Sequence, residues 1–206
     1  MTEYLVPYES AESEFEEKRS RFISHVFLVE SEAEARARID EMKKKYYDAR
    51  HNCWCFVLHD GTVRYGDDGE PQGTAGQPML NVFHREGVEN LVCIVTRYFG
   101  GILLGAGGLT RAYVQGAKCA LDAARVVTME DSVRFWAEVP YSLWDRLDYA
   151  LGGMPVCREG AEFSAQVTAT LVVRKRDKDD VFARITAATE GRAEMMELEE
   201  LVKGWE

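Results

Sequence analysis

The sequence lacks any segment that could cross a membrane. A long uncharged run, residues 98–110, is interrupted by glycine and is far shorter than the roughly 20 apolar residues that a spanning helix needs. The N-terminus is acidic and does not have the basic and then apolar pattern of a secretory signal. We therefore expect a cytoplasmic protein with no membrane contact.

Positive charge is scarce as well. The chain has 25 Lys and Arg against 35 Asp and Glu, which gives a formal net charge of −10 at pH 7. This balance excludes a protein that binds nucleic acid through the field of its total charge. Any contact with nucleic acid must come from a local basic patch.

The cysteines do not suit a disulfide framework. There are five of them, an odd number, and four lie in otherwise apolar segments, where a thiol packs as a small hydrophobic group. With 206 residues, of which 46% are hydrophobic, the chain can build a large core without disulfides. We therefore expect reduced thiols, as in cytoplasmic proteins.

The first half of the chain contains both strand and helix patterns. Ser31 and Glu34 form a capping box, and apolar residues at helical spacing follow them. Asp60 and Gly61 are typical of a two-residue hairpin turn, and Thr74 is a candidate helix cap. These patterns predict strands at residues 21–29, 51–58, 62–65 and 91–96, and helices that begin near residues 31, 74 and 108.

A new series of strand and helix patterns begins near residues 127–130 and predicts a second domain. A strand at 133–139 and a helix at 140–151 precede a hairpin turn at Glu159 and Gly160; a strand at 162–174, a helix at 179–189 and a strand at 195–201 follow. With a strand before that turn, the order is βαββαβ, the ferredoxin-like arrangement. We predict an α+β protein with domains at 1–129 and 130–206.

A glycine-rich stretch, VTRYFGGILLGAGGLTRAY at residues 95–113, places five glycines between two arginines. A strand, a glycine turn and a helix N-terminus can together hold an anion on free backbone amides. The spacing matches neither a Walker loop nor a dinucleotide fingerprint, and the alternative is that glycine only allows close helix–sheet packing. The candidate phosphate or nucleic-acid contacts are Arg97, Gly100, Gly101, Gly105, Gly107, Gly108, Arg111 and Lys118.

Two other polar groups have both a chemical and a structural interpretation. Asp67, Asp68 and Glu70 in GDDGEP could bind Mg²⁺, although carboxylates beside glycine and proline are more often turn formers. His51 alternates with two cysteines on one strand face, and without a second ligand pair this pattern favours buried packing over a metal site. We assign no metal and no cofactor.

The segments KRSRFI at 18–23, ARHNCWCF at 49–56, RYGDDGEPQGTAGQPML at 64–80 and the glycine-rich stretch together resemble the IMPACT family, in particular its bacterial two-domain YigZ-type members. The motifs cover residues from about 15 to 127. The resemblance implies an N-terminal domain with the fold of the second domain of ribosomal protein S5. It also implies a ferredoxin-like second domain similar to domain V of elongation factor G.

The resemblance also implies a second group of site residues, around the acidic segment GDDGEP, which we call the second loop. Gly66 and Gln72 stand where the family pattern has serine, which removes two hydroxyl ligands and disfavours metal or phosphoryl chemistry in the acidic loop. The residues carried over to this second loop are His51, Asn52, Asp67, Asp68, Glu70 and Thr74.

A role in translation is implied by the same resemblance. Eukaryotic members restrain the starvation-activated kinase of translation initiation by competing for its ribosome-bound coactivator. We expect a binding protein that contacts RNA or ribosome phosphates, or a translation-associated protein, through the glycine loop. The alternatives are a Mg²⁺-dependent enzyme acting on a phosphorylated small molecule and a protein–protein adaptor without chemistry.

Overall fold

The structure, a computed structural model, describes residues 3–205 and shows within them an α+β protein with five α-helices and two five-stranded sheets. The predicted domain ends at residues 1 and 206 lie outside the described residues. In chain order the elements are β1 (Glu3–Pro7), β2 (Ala11–Glu17), β3 (Ser20–Leu28), α1 (Glu32–Lys45), β4 (His51–Val57), β5 (Val63–Gly66), α2 (Gly76–Glu86), β6 (Leu91–Tyr98), α3 (Ala106–Ala124), β7 (Val126–Val139), α4 (Tyr141–Leu151), β8 (Val156–Phe163), β9 (Val167–Arg174), α5 (Lys178–Ala188) and β10 (Glu194–Trp205).

Two compact units make up the chain, Tyr4–Thr128 and Met129–Trp205, and the division falls within β7. One sheet has the order β2-β3-β6-β4-β5; the other has the order β1-β7-β9-β8, with β10 also paired to β7. Among the described helices, none is long and apolar enough to cross a membrane.

The sheet of the first unit is covered by helices on both faces. Helices α2 and α3 pack over one face, and α1 packs over the other. Because β6 is the central strand, all of its residues up to Arg97 are buried, which confirms the interior strand predicted from its continuous apolar run. Cys53, Cys55 and Cys93 are buried in the core beneath α2 and α3, as the packing interpretation predicts.

Sequence reasoning missed β1 and β2. The residues of β2, AESEFEE, alternate between an exposed glutamate face and a face that is only half buried. Because four of the seven residues are glutamate, the segment does not show the apolar alternation by which a strand is usually predicted. A charged edge strand is also a common means of preventing unwanted pairing with another sheet.

Helix α1 begins at the predicted capping box, but the predicted cap of α2 is wrong. The Thr74 hydroxyl donates to the carbonyl oxygen of Pro71 at 2.6 Å, and Ala75 occupies the N-cap position without a side-chain hydrogen bond. The helix is capped from a distance by Asp67. Its carboxylate accepts hydrogen bonds at 2.8 to 3.1 Å from the backbone amides of Gly73, Ala75 and Gly76.

The second unit has the element order βαββαβ from β7 to β10, with the strands arranged β10-β7-β9-β8 and both helices in one apolar cluster with the strands. The predicted turn at Glu159 and Gly160 is wrong, because both residues lie inside β8, where the pairing register shifts. The chain turns instead at residues 164–166, where the Ser164 amide donates to the Gln166 carbonyl. These turn residues continue the polar–apolar alternation, so periodicity alone did not reveal the turn.

The loop between β6 and α3 requires glycine for two separate reasons. A Cβ atom at Gly100 would lie 1.9 Å from the carbonyl oxygen of Arg19, so this residue packs directly on the backbone of the β2–β3 hairpin. Gly101 and Gly105 have φ angles of 86° and 72°, in the left-handed region that favours glycine. Gly100 therefore allows close packing, and Gly101 and Gly105 allow the chain to turn.

Replacing Gly100 by alanine is expected to lower the free energy of unfolding by about 3 kcal/mol, the upper end of the range for overpacking, because backbone atoms of Arg19 must move. Urea unfolding measures this change. Gly160→Ala is the matched control, since a Cβ there would meet no atom within 4 Å, and a shift of at most about 0.5 kcal/mol is expected. Equal effects of the two substitutions would contradict the packing role.

Replacing Asp67 by alanine is expected to lower the free energy of unfolding by about 2 kcal/mol, because three backbone amides at the start of α2 lose their acceptor. Asp40→Ala, at an exposed position of α1, removes the same charge and should change stability by less than about 0.5 kcal/mol. A stability of Asp67→Ala equal to that of the control would show that Asp67 does not cap α2.

Candidate functional site

Strand register brings polar side chains together at one end of the sheet in the first unit. His51 is the first residue of β4 and pairs with Arg97 near the end of β6. The loop between β5 and α2 supplies Glu70, and α3 supplies Tyr113. The apolar cores on both faces of the sheet set this register, so they also determine which polar residues meet.

Glu70 is at the centre of this group. Its side chain is 3% exposed, and its Oε1 atom accepts hydrogen bonds from Arg97 Nη1 at 2.7 Å and from the Tyr113 hydroxyl at 2.8 Å. The Nε2 atom of His51 lies 4.0 Å from the same oxygen. Burial raises the pKa of Tyr113, so this hydroxyl stays protonated and donates a hydrogen bond to Glu70. Removing one partner of such a buried pair costs about 3–5 kcal/mol.

The two aspartates of GDDGEP serve the local backbone. Asp67 caps α2, as described above. Asp68 has a φ of 43°, and its carboxylate accepts the backbone amide of Asn52 at 2.7 Å and the Lys43 ammonium at 2.7 Å. Each carboxylate of the loop thus faces hydrogen-bond donors of the protein. Within residues 3–205, no three His, Cys, Asp or Glu side chains are grouped so that they could hold a metal ion.

The other residues carried over to the second loop have structural contacts. Asn52 is buried, and its Oδ1 accepts the Thr96 hydroxyl at 2.7 Å. The thiol of Cys53 donates to the Asp67 carbonyl at 2.9 Å, and burial raises the pKa of this thiol, so it is not an activated nucleophile. Asn52 and Thr74 therefore shape the loop, whereas His51 and Glu70 face open space.

That open space is a cavity of about 320 Å³, within the size range of ligand pockets. It brings together the second loop and the glycine-rich stretch, which sequence reasoning could only treat as separate groups. Its walls combine polar and charged side chains with apolar ones. The lining residues that matter here are Arg50, His51, Glu70, Arg97, Phe99 and Gly105.

The start of α3 opens onto this cavity. Gly105 is the N-cap residue and provides no side-chain cap, and the amide of Leu109 donates to its carbonyl at 2.9 Å as the first helical bond. The amides of Ala106, Gly107 and Gly108 precede that bond, and no carbonyl of the described residues accepts them. The Gly100 amide differs, because it donates to the Ser20 hydroxyl at 3.3 Å.

Arg97 and Arg111, both predicted as phosphate contacts, do not line the same cavity. Arg97 lines the 320 Å³ cavity, while Arg111 lines a second cavity of about 170 Å³ together with Lys18 and Gly108. The reason is that the Arg97 side chain, 6% exposed, is held inward by Glu70, whereas Arg111 extends from the exposed face of α3. Leu104 lines both cavities and separates them.

Lys118 lines neither of these two cavities. Its Nζ atom lies 3.2 Å from Glu86 Oε1 and 3.1 Å from Asp122 Oδ1, and hydrogen bonds to Asp122 and Glu86 raise its pKa. This lysine is therefore paired with neighbouring carboxylates on the helix surface and is not directed at either cavity.

Sequence reasoning missed Arg50 as a site residue. It is exposed, it lines the larger cavity, and no hydrogen bond or ion pair joins it to another residue in the described part of the chain. Its position directly before His51 in ARHNCWCF was the available signal. Together, Arg50, the open amide of Ala106 and the partly exposed Phe99 ring form a surface that can bind an anion beside an apolar or aromatic group.

Comparison with known proteins agrees with the motifs. The Impact N-terminal domain family matches residues 18–121. The chain is 33% identical over 196 residues to the IMPACT family member YvyE of Bacillus subtilis, a match that covers 94% of this chain and 90% of that protein. It is 29% identical over 204 residues to the IMPACT family member YigZ of Escherichia coli, covering 97% and 100%.

One solved structure is similar over nearly the whole chain. It is described as the crystal structure of a hypothetical protein, and it superposes with a TM-score of 0.61 and 28% identity over 97% of this chain and 98% of that one. The matched family domain contains the second loop and the whole glycine-rich stretch. The chain therefore belongs to the IMPACT family, with relatives of the YvyE and YigZ type.

Proposed function

We propose that this protein is a cytoplasmic, translation-linked binding protein whose first unit binds single-stranded RNA. The observation that carries the proposal is the shared cavity of Arg50, Arg97 and the uncapped start of α3. A helix N-terminus favours negative charge through its dipole and its free amides, and a guanidinium group adds charge-assisted hydrogen bonds to phosphate.

Arg97 supports this site in spite of its ion pair with Glu70. Its Nε atom is buried and has no hydrogen-bond partner within the described residues, and its guanidinium carbon lies 5.5 Å from the centre of the Phe99 ring. Arg97 and Glu70 neutralise each other, so the free charge of the cavity comes from Arg50 and the α3 dipole. That net charge is positive, as phosphate binding requires.

The second cavity favours a polymer over a small molecule. Lys18 and Arg111 line it with one carboxylate, Glu17, so its side chains carry a net positive charge, and it adjoins the first cavity at Leu104. One RNA strand could therefore place successive phosphates against the two basic sites. Phe99, which is 45% exposed at the larger cavity, provides an aromatic face on which a base can stack.

The translation link and the two domain folds belong to the same proposal. We propose domains at 1–129 and 130–206, with the fold of the second domain of ribosomal protein S5 and the ferredoxin-like fold, respectively. The order βαββαβ of the second unit supports the latter. The resemblance of the second domain to domain V of elongation factor G, which the family motifs imply, supports a ribosomal RNA partner.

The second candidate is an enzyme that acts on a phosphorylated small molecule with Mg²⁺. The single cleft formed by the two loops favours it. It ranks below RNA binding because Asp67 and Asp68 accept donors of the protein itself, and Glu70 is held by Arg97 and Tyr113. Calorimetric titration with nucleotides and Mg²⁺ distinguishes the two candidates.

Substituting Arg50 or Arg111 by glutamine is expected to weaken binding of single-stranded oligouridine. Each loss of a phosphate contact should reduce the slope of log K against log salt by about 0.7, and the double substitution by about 1.4. Fluorescence anisotropy over a range of salt concentrations measures both quantities. The substitutions should leave the fold intact, because both side chains are exposed.

Arg85→Gln is the matched control, since Arg85 is also exposed and lines neither cavity. It should change the affinity little and leave the slope unchanged. The proposal is wrong if wild type does not bind the RNA, or if the control reduces the slope as much as the two site substitutions do.

A further inference from the structure

We infer that the larger cavity selects ribonucleotides over deoxyribonucleotides, with Glu70 and His51 sharing the one proton of a ribose 2′-hydroxyl group in a three-centre hydrogen bond. This inference rests on the proposed RNA binding and specifies how the same site recognises its ligand. It depends on the acceptor atoms that face the cavity rather than on the groups that hold phosphate.

His51 has a defined tautomer. Its Nδ1 atom lies 2.9 Å from the carbonyl oxygen of Asp68. A carbonyl oxygen can only accept, so Nδ1 carries the proton, and in the neutral ring Nε2 is left as an acceptor. A Cβ atom at Gly69 would lie 3.4 Å from Nδ1, so the loop packs closely against the ring and holds its orientation.

Glu70 provides a second acceptor. Both of its protein hydrogen bonds, from Arg97 and Tyr113, go to Oε1. Within residues 3–205, no donor reaches Oε2, although the side chain is only 3% exposed. Glu70 lines the cavity, and its Oε2 is not among the fully buried side-chain atoms that lack a partner, so this oxygen is open to a ligand. A hydrogen bond from a ligand hydroxyl to a charged acceptor is among the stronger ones.

These two acceptors lie on the same cavity as the groups proposed to hold phosphate. His51 Nε2 is 4.0 Å from Glu70 Oε1, and Arg50 and Gly105 line the same space. In a ribonucleotide the 2′-hydroxyl is a donor one carbon away from the 3′-phosphate oxygen, and a deoxyribonucleotide has no group there. A ligand without this donor leaves the acceptors unpaired, and such a mismatch gives strong discrimination.

The test compares three oligonucleotides of equal length on the wild-type full chain: oligouridine, oligodeoxyuridine and 2′-O-methyl oligouridine. The methylated strand keeps the oxygen but cannot donate. We expect oligouridine to bind at least about 10-fold more tightly than the other two, since one hydrogen bond to a charged group is lost in each. Equal affinity for all three would overturn the inference and leave RNA binding intact, whereas no binding of any strand would overturn the proposed function itself.

His51→Phe then assigns the selectivity to this site. It removes the acceptor but keeps a ring of similar shape, so the preference for RNA over DNA should fall several-fold while binding of oligodeoxyuridine is retained. His84→Phe is the control, because His84 is exposed and lies outside the larger cavity. An unchanged preference in a folded His51→Phe variant would overturn the role of His51, and the wild-type comparison stands even if this variant does not fold.

Discussion

The buried ion pair between Arg97 and Glu70 joins three parts of the first unit. It ties the end of the central strand to the acidic loop, and through the Tyr113 hydroxyl it ties both to α3. Charges removed from water are stable only when they are paired and hydrogen-bonded. The acidic loop must therefore close over the end of β6, and this closure forms one wall of the cavity.

Glycine and aspartate shape the rest of this site through the backbone. Gly100 allows the chain to pass against the β2–β3 hairpin, and its amide is used there. Gly105, by contrast, leaves the start of α3 without a cap, so the next amides remain open. Asp67 caps α2 from another loop. The amides at the start of α2 thus have an acceptor within the protein, whereas those at the start of α3 are open to a ligand.

Much of the architecture could be predicted from local patterns. The capping box of α1 and the apolar run of β6 depend on neighbouring residues, and each matches an element of the structure. The errors arose where tertiary contacts override local signals. The Thr74 hydroxyl turns to Pro71 because Asp67 already serves the helix, and β8 runs through Glu159 and Gly160 because β9 pairs with it on both sides of the bulge.

The sequence by itself determined the chemical groups of this protein, its family and the alternation of its elements, because motifs and periodicity are properties of adjacent residues. Only the tertiary structure decided which groups act together. Arg97 and Glu70 lie on different elements and meet because the acidic loop closes over the end of β6, while Arg97 and Arg111, closer in sequence, line different cavities. Burial and pairing of charge depend on the packed core, which no short segment of the chain contains.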